Sequence, residues 1–391
     1  MSKIRVGIIA DILQVPMSGM GRYILNVIRY LPSEVFEVVL ITRTDGQVLL
    51  LPDLVKEHSI LEKSRQKTAR YRYLLRCLLR HPRQVDHLGL DVVHCPTQGV
   101  PPYFWFLKTP KVITIHGAAA FVLPRHLHRP PAPRQFLPFR LFGSRVAHFI
   151  TVSESAKFNI IRHYRIPAAK ITSVYHGVDH AQFYPSKDPA SLTEALRVRL
   201  GIEYPYILHV SNYQPKKNAV AIVKAFSLLR KRTNLPHRLV LAGGEYYGLG
   251  EVMHLIDRDA NLNDFVLRLG HLDGADLRLL YQGAAVFVFP SFHESFGLPL
   301  LEAMGCGVPV VTSNVFAIPE VVGEAALMVD PMDVESLYNS LRMILTDRAF
   351  AERLREKGLE RAAAFTWENC AAQHAEIYRA VVNGQYSVKK V

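Results

Sequence analysis

Residues 287–313 read FVFPSFHESFGLPLLEAMGCGVPVVTS, and this stretch contains a strand, a loop, a helix and a second strand. The apolar run that ends at Pro290 is typical of a buried parallel strand, and so is VPVVTS at 308–313. Proline is favoured in the first turn of a helix, so Pro299 indicates where the helix begins, and Gly307 indicates where it ends. The stretch therefore predicts a β-α-β unit of a parallel sheet.

The same alternation of strands and helices occurs in two series along the chain, separated by a polar, proline-containing stretch at about 183–204. Strands buried on both faces of a parallel sheet are near-continuous Val, Ile and Leu runs, and their alternation with helices predicts doubly wound domains. We therefore predict an α/β fold of two Rossmann-like domains that face each other across a cleft. Its further strands lie in IRVGIIAD (4–11), FEVVLITR (36–43), DVVHCP (91–96), KVITIHG (111–117), HFITVS (148–153), YILHVS (206–211), HRLVLAGG (237–244) and FVLRLG (265–270).

Length and composition limit the class of protein. A chain of 391 residues is too long for one ordinary core, and 49% hydrophobic with 21% charged residues is typical of a globular protein. No apolar run is long enough to cross a bilayer, and the start, MSKIRVGIIADI, lacks the pattern of a signal peptide. The four cysteines lie far apart without metal-ligand spacing, so we expect a reducing, cytoplasmic environment.

The positive charge is concentrated in the first half of the sequence. The net charge is +13, and residues 1–150 contain 21 Lys and Arg against 9 Asp and Glu. Such asymmetry indicates an anionic partner, either membrane phospholipid or nucleic acid. No helix-turn-helix or aromatic RNA-binding motif is evident, so we do not expect nucleic acid.

Residues 63–83 form the most basic segment, with eight basic residues and no acid. Arg72, Arg76 and Arg80 recur every four positions beside a leucine-rich stripe, which predicts a basic amphipathic helix. The stripe either packs on the first domain or docks on an anionic membrane surface. A second basic stretch at 124–140 mixes Pro, Arg and Phe, and it either shapes an acceptor site or contacts lipid headgroups.

The loop and helix start within 287–313 have the chemistry of a sugar-nucleotide site. The amides of Phe296, Gly297 and Leu298 precede or open the helix, and unpaired N–H groups at a helix start favour a diphosphate. Glu294 and Glu302 can each accept hydrogen bonds from two vicinal hydroxyls, as a hexose or a ribose presents them. Taken alone, the first is equally an exposed loop acid and the second a first-turn acid that complements the helix dipole.

These motifs resemble the retaining GT-B glycosyltransferases of family 4 over nearly the whole chain. HESFGLPLLEAMGCGVPVV resembles that family's pair of glutamates with seven residues between them, and MSGMGRYILN resembles its glycine loop, here at Gly19 and Gly21. ITVSESAKFNI and VYHGVDHAQFYP resemble its interdomain signature, and FTWENCAAQHAEIY resembles the helix that crosses back to the first domain. The resemblance implies an acceptor domain at 1–183, a nucleotide-sugar donor domain at 184–364, and a returning helix with a tail at 365–391.

The resemblance also implies roles for the site residues. Glu294 would contact the transferred sugar, Glu302 the donor ribose, and His116 the donor sugar near the reacting carbon. Without the resemblance, a histidine at a strand end is as often only a satisfied polar group. The nucleobase is expected near Gly270 and His271. The implied donor is GDP-mannose first and a UDP-linked hexose second, with retention at the anomeric carbon.

Two lysines follow the strand YILHVS at the start of a helix. Lys216 or Lys217 there can neutralise a diphosphate leaving group without Mg²⁺, although a solvated surface pair is the alternative. Many relatives carry Gly-Arg where this chain has Ser211 and Asn212, so Lys217 is the first candidate cation and Lys216 the second, with Asn212 in the donor-binding set. No Asp-x-Asp pair stands at a strand end, so we expect neither a metal nor a cofactor.

The predicted function is therefore transfer of a hexose, mannose first, from a nucleotide-diphosphate sugar to a glycan or lipid-linked acceptor in polysaccharide or cell-envelope biosynthesis. His116, Glu294 and Lys217 are the predicted catalytic residues. The predicted location is the cytoplasm, with peripheral binding to the inner face of the cytoplasmic membrane through 63–83. The alternatives are a catalytically idle nucleotide-sugar-binding protein and a GT-B sugar-nucleotide hydrolase or epimerase.

Overall fold

The chain divides into two compact units. The computed structural model describes residues 2–11, 13, 19–41, 48–49, 81–245, 247–259, 261–272 and 274–386. Unit 1 comprises Met1–Ala118, Pro131–His176 and Trp367–Val391, and unit 2 comprises Ala119–Pro130 and Gly177–Thr366. The chain therefore passes from unit 1 to unit 2 after His176 and returns to unit 1 after Thr366. The resemblance implies these boundaries after residues 183 and 364.

Unit 1 is built on a seven-stranded sheet with the order β3-β2-β1-β4-β5-β6-β7. Its pairs are parallel except that β3 runs antiparallel to β2. The central strands are rich in buried Val, Ile and Phe, because helices cover both faces of such a sheet. The strands are β1 (Ile4–Ile9), β2 (Phe36–Ile41), β3 (Val48–Leu49), β4 (Val92–Cys95), β5 (Lys111–Ile115), β6 (His148–Thr151) and β7 (Ile171–Ser173).

The helices of unit 1 are Gly19–Tyr30, His81–Asp86, Pro133–Phe142, Glu154–Tyr164 and Trp367–Val382, with short 3₁₀ turns at Pro102–Phe106, Gly143–Arg145 and Ala168–Lys170. Local capping fixes some of these bounds. The hydroxyl of Ser153 accepts a hydrogen bond from the Ala156 N–H at 3.0 Å, and it thereby starts Glu154–Tyr164. Helix Trp367–Val382 packs against Gly19–Tyr30 within unit 1, so the end of the chain completes the fold of its beginning.

Unit 2 is built on a six-stranded parallel sheet with the order β10-β9-β8-β11-β12-β13. The strands are β8 (Tyr206–Val210), β9 (Arg238–Ala242), β10 (Val266–Leu269), β11 (Val286–Phe289), β12 (Val310–Ser313) and β13 (Leu327–Val329). The helices are Ala119–Val122, Pro189–Leu200, Ala219–Arg232, Leu249–Arg258, Gly274–Gln282, Leu298–Gly305, Ile318–Val322, Val334–Thr346 and Arg348–Ala363, with a 3₁₀ turn at Pro215–Lys217.

Both sheets have the strand order of a doubly wound fold, and this confirms the predicted α/β class. In each sheet the chain first adds strands on one side of its first strand and then moves to the other side. The reversal falls between β1 and β4 in unit 1 and between β8 and β11 in unit 2. Ligands of such sheets bind outside the carboxyl ends of the strands at this switch point, so the topology alone indicates where to look for a site.

Every predicted strand is present, and three observed strands have no predicted counterpart. These are β3, β7 and β13, which are two or three residues long and too short for a periodic pattern to be recognised. Most of the basic segment 63–83 lies outside the described residues, and its last three residues begin helix His81–Asp86. Among the described residues, no helix has the length and apolar character that spanning a membrane requires.

Gly243 fixes the backbone at the carboxyl end of β9. Its φ is +139°, and a Cβ added there would lie 1.9 Å from the carbonyl oxygen of Ser211, which follows the neighbouring strand β8. The Gly243 N–H also donates to the carbonyl of Gly270 at 3.0 Å, so the ends of three strands meet at this residue. Only glycine fits both the dihedral angle and the close approach.

We expect Gly243→Ala to lower the free energy of unfolding by about 2 kcal/mol or more, because the methyl group collides with backbone that cannot rotate away. Gly244→Ala is the matched control, since a Cβ at Gly244 meets no atom within 4 Å. Its effect should stay within about 0.5 kcal/mol. Urea denaturation of the three proteins measures both effects, and equal stability of the two variants would contradict this account of the strand ends.

Candidate active site

The switch point of unit 2 brings Lys217 and Glu294 together. Strands β8 and β11 are parallel neighbours, with Ile207 opposite Val286, so the loops that follow them emerge at the same edge of the sheet. The Lys217 Nζ lies 2.6 Å from the Glu294 Oε1 although 77 residues separate them. Both side chains are largely buried, at 16% and 12% exposure. Two sequence-predicted catalytic residues therefore form one ion pair.

A rigid turn holds the lysines against the glutamate loop. Asn218 adopts a left-handed φ of 61° and starts helix Ala219–Arg232, and its side-chain amide donates to the carbonyls of Pro290 (3.1 Å) and Pro331 (2.8 Å). The carbonyl of Lys216 accepts from the N–H of Phe292 at 2.8 Å. These bonds hold the loop after β8 against the loop after β11, which explains why an asparagine follows the lysine pair.

Glu294 is held as a carboxylate. Burial alone would raise its pKa, but the charges of Lys217 and Lys216 and the hydrogen bonds from Lys217 and Ser291 together outweigh burial, and the pKa falls below 4.5. The Ser291 hydroxyl donates to Oε1 at 2.8 Å. Ser291 was not among the predicted residues, and its position directly after Pro290, which follows β11, is the signal that would have identified it.

The neighbours of the pair are desolvated as well. Burial lowers the pKa of Lys216, partly opposed by Glu294, and burial lowers the pKa of His293 to about 4. The ammonium of Lys217 lies 5.1 Å from the centre of the Phe289 ring, so an aromatic face also supports its charge. The site therefore combines the Glu294 carboxylate, the lysine amino groups beside it and, at neutral pH, an uncharged His293 imidazole.

Helix Leu298–Gly305 begins shortly after Glu294 in the chain, close to the helix start that Pro299 predicts. Its N-cap is Gly297 at φ +113°, and no side chain caps the helix in this described segment. The N–H groups at the start of a helix are suitable donors for an anion. Glu302 is buried within the helix and accepts a hydrogen bond from the Tyr281 hydroxyl at 3.1 Å.

The remaining predicted donor-binding residues of unit 2 lie at the ends of β8 and β10. Gly270 and His271 are exposed after β10, and a Cβ added at Gly270 would meet open space. Asn212 follows β8, where its carbonyl accepts from the Ser211 hydroxyl at 2.8 Å, and its side-chain oxygen is a buried acceptor without a hydrogen-bond donor among the described residues. They share the carboxyl edge of the sheet with Lys217.

His116 lies in unit 1 and directly follows β5. Its Nε2 donates to the carbonyl of Pro96 at 2.8 Å, so Nε2 carries the proton and Nδ1 is the acceptor of the ring. Burial lowers the pKa of His116 to about 4, and the imidazole is therefore neutral at pH 7. Gly19 and Gly21 lie in the first turn of helix Gly19–Tyr30, which follows β1 in the same unit.

A chain of buried hydrogen bonds lies beside His116 and was not predicted from the sequence. His374 Nδ1 donates to the carbonyl one turn earlier in its helix at 2.8 Å, so its Nε2 must accept from Tyr23 at 2.7 Å. Tyr23 then accepts from Thr114, which accepts from His94 Nε2, and His94 Nδ1 accepts from Tyr378. Burial keeps both imidazoles neutral, because it lowers the pKa of His374 to about 4 and that of His94 well below 6.5. One carbonyl thus orients five buried side chains.

The two units therefore contain different parts of the predicted site. Unit 2 brings Lys216, Lys217 and Glu294 together, with the helix start next to them. Unit 1 holds His116 and the two glycines. Among the described residues, no group of three or more His, Cys, Asp or Glu is arranged to hold a metal ion.

Comparisons with known proteins show which family the chain resembles. Residues 193–361 match the family Glycosyl transferases group 1, and residues 17–182 match Glycosyltransferase Family 4. The chain is 30% identical over 390 residues to the O-antigen chain mannosyltransferase B of Escherichia coli, covering 94% of this chain and 97% of that protein. It is 26% identical to the O-antigen chain mannosyltransferase RfbU of Salmonella typhimurium, covering 76% of each.

Among solved structures, Anabaena HepE in complex with UDP and glucose shares the fold. The two structures superpose with a TM-score of 0.75 at 18% identity, covering 96% of this chain and all of that one.

We expect the Lys217–Glu294 pair to be energetically coupled. In a double-mutant cycle of Lys217→Met and Glu294→Gln at pH 7, the coupling should be about 1–3 kcal/mol, because each single change leaves the partner buried without its counter-ion. The depressed pKa of Glu294 means that its contribution is complete above pH 4.5 and is lost as the pH falls through its folded pKa.

The more exposed pair of Lys231 and Asp259, 2.8 Å apart in the same unit, is the control, and its coupling should stay below about 1 kcal/mol. Denaturation at a series of pH values from 7 downward measures both cycles. Equal coupling in the two pairs at pH 7, or coupling at Lys217–Glu294 that does not weaken as the pH falls through the folded pKa of Glu294, would contradict the described electrostatics.

Proposed function

Because this chain belongs to the family 4 glycosyltransferases, we propose that it transfers a hexose, mannose first, from a nucleotide-diphosphate donor to a glycan hydroxyl, with retention and without a metal. The observation that carries the proposal is the buried Lys217–Glu294 pair at the switch point of unit 2. A sugar diphosphate has an anionic leaving group at one end and a hydroxyl-rich ring at the other. The lysine cation can bind the leaving group, and the carboxylate beside it can accept hydrogen bonds from the ring hydroxyls.

Lys217 and Lys216 would stabilise the leaving group. When the bond between the anomeric carbon and the phosphate oxygen breaks, negative charge accumulates on the diphosphate. Two ammonium groups in a desolvated setting stabilise that charge more strongly than they would in water. The amides at the Gly297 helix start add to this, so Mg²⁺ is not required.

Glu294 would bind the transferred sugar. Its carboxylate accepts hydrogen bonds from sugar hydroxyls and favours the positive charge that develops at the anomeric carbon. The acceptor oxygen forms the new bond on the face that the diphosphate leaves, and the departing phosphate oxygen takes the acceptor proton. For Glu302 we propose contact with the donor ribose, and for His116 acceptance of a substrate hydrogen bond at Nδ1, which its bond to Pro96 leaves as an acceptor.

The relatives guide the choice of donor and acceptor. Two of them are O-antigen chain mannosyltransferases, which favours GDP-mannose and a polysaccharide or lipid-linked glycan of the cell envelope. HepE is in complex with UDP and glucose, so UDP-hexoses are the second choice. The nucleobase would lie at Gly270 and His271. An acceptor of this kind fits a cytoplasmic enzyme that reaches the inner membrane surface through the basic segment 63–83.

We expect Glu294→Gln and Lys217→Met each to lower kcat by about 100-fold or more, because each removes charge stabilisation at the reacting bond. The measurement is transfer from GDP-mannose, and in parallel from UDP-glucose, to lipid-linked glycan extract in excess chelator. Lys231→Met is the control and should retain wild-type kcat, since its ion pair with Asp259 is remote in sequence and more exposed.

Three results would count against the proposal. Rescue of an EDTA-inactivated wild type by Mg²⁺ would exclude metal independence. Release of free hexose without glycan elongation would indicate a hydrolase. Full activity of both variants would remove Lys217 and Glu294 from the site.

A further inference from the structure

Phe316 is held in a backbone conformation that phenylalanine rarely adopts. Its φ is 53°, in the left-handed region where a Cβ is crowded against the backbone. Two other non-glycine residues of the described chain have positive φ, namely Arg165 at the end of a helix and Asn218 in the lysine turn. A helix end and an asparagine are ordinary places for this conformation, and an aromatic residue in a loop is not.

The strained turn is joined directly to the loop of Glu294. Strand β12 is the parallel neighbour of β11, so the turn that follows β12 emerges at the same edge of the sheet. The N–H of Ile318 donates to the carbonyl of Val315 and closes the turn at 3.2 Å. The N–H of Ala317 donates to the backbone carbonyl of Glu294 at 3.4 Å, so the turn contacts the candidate catalytic acid.

The phenyl ring packs over the residue that precedes Glu294. The ring centres of Phe316 and His293 are 4.3 Å apart, and the rings are inclined by 48°. His293 is almost completely buried, whereas Phe316 is only half-buried, so part of the phenyl face remains available. Glycine would satisfy the backbone here without strain, and strain at such positions is retained where a side chain has a function.

On the basis of the proposed function, we propose that Phe316 forms the apolar wall of the donor-hexose subsite and determines which hexose is accepted. A pyranose has apolar C–H surfaces between its hydroxyl groups. Glu294 and the lysines supply the polar contacts, and an aromatic ring beside them favours a C–H surface. A hydroxyl directed at the ring loses its hydrogen bond to water, so hexoses that differ in one hydroxyl orientation are distinguished.

The test separates contact with the sugar from support of the fold. Isothermal titration calorimetry compares GDP with GDP-mannose, and UDP with UDP-glucose, on wild type, Phe316→Gly, Phe316→Ala and Phe316→Tyr. In the Gly and Ala variants, affinity for the preferred nucleotide sugar should fall by about ten-fold. Affinity for its free nucleotide should be unchanged, because the sugar is the only part of the donor that the ring is proposed to contact. Phe316→Tyr keeps the ring and should bind like wild type.

Thermal denaturation of the same variants isolates the strain. Phe316→Gly should unfold at a higher temperature than Phe316→Ala. Both variants lack the ring, but the left-handed φ is unfavourable for alanine and not for glycine. Arg165→Gly is the matched control, because it places glycine at another left-handed position, with a φ of 59°, at the exposed end of helix Glu154–Tyr164. It should leave every binding constant unchanged.

The outcomes distinguish this inference from the proposed function. Equal losses of nucleotide and nucleotide-sugar affinity, or no loss of either, would show that the ring only covers His293 and would overturn the inference. Another result is that the variants show the sugar-specific loss while the wild type binds the donor but elongates no glycan. That result would support the inference and overturn the proposed transfer. A wild type that binds none of the four ligands would overturn both.

Discussion

The contact between the Lys217 ammonium and the Glu294 carboxylate is the interaction on which the site depends. Neither group is stable when buried alone, because removing a single charge from water costs several kcal/mol. The two are brought together by sheet topology, since β8 and β11 become neighbours where the order of strands reverses. The asparagine turn, the Ser291 hydroxyl and the Phe289 ring then complete a setting in which both groups remain charged.

The buried network around Tyr23 in unit 1 is built in the opposite way. Its two histidines, His94 and His374, are neutral, and the hydrogen bonds of the network all run in one direction toward the backbone carbonyl of Cys370 in the C-terminal helix. The network joins His94 to Tyr378 and Tyr23 to His374, which are 284 and 351 residues apart in sequence. Helix Trp367–Val382 is therefore an integral part of unit 1. Protonation of either imidazole would reverse a donor and an acceptor, which makes this network sensitive to acid.

The sequence predicted the features that depend on local pattern. Strands of four or more residues, the helix start at Pro299, and the placement of Lys217 and Glu294 after strand ends all follow from periodicity and turn chemistry, and the α/β fold is confirmed. The features that depend on distant pairing were not predicted. His374 and Tyr378 are four positions apart on one helix face, but nothing local identifies Tyr23 or Thr114 as their partners. The left-handed conformation of Phe316 is equally invisible, because sequence preference would place glycine or asparagine there. Residues 63–80 of the basic segment lie outside the described residues, and the amphipathic helix stays a prediction.

The two charges of the central pair are proposed to bind different halves of the donor, and the affinity for GDP alone tests that assignment most directly. Lys217→Met should weaken GDP binding, because the diphosphate loses a cation. Glu294→Gln should leave GDP affinity unchanged or strengthen it, because the lysine is no longer neutralised by its partner and the missing carboxylate binds only the sugar. Calorimetric titration of wild type and both variants at pH 7 measures this difference in sign. If the lysine variant binds GDP as tightly as wild type, or if both variants lose affinity to the same extent, the pair is not the donor site.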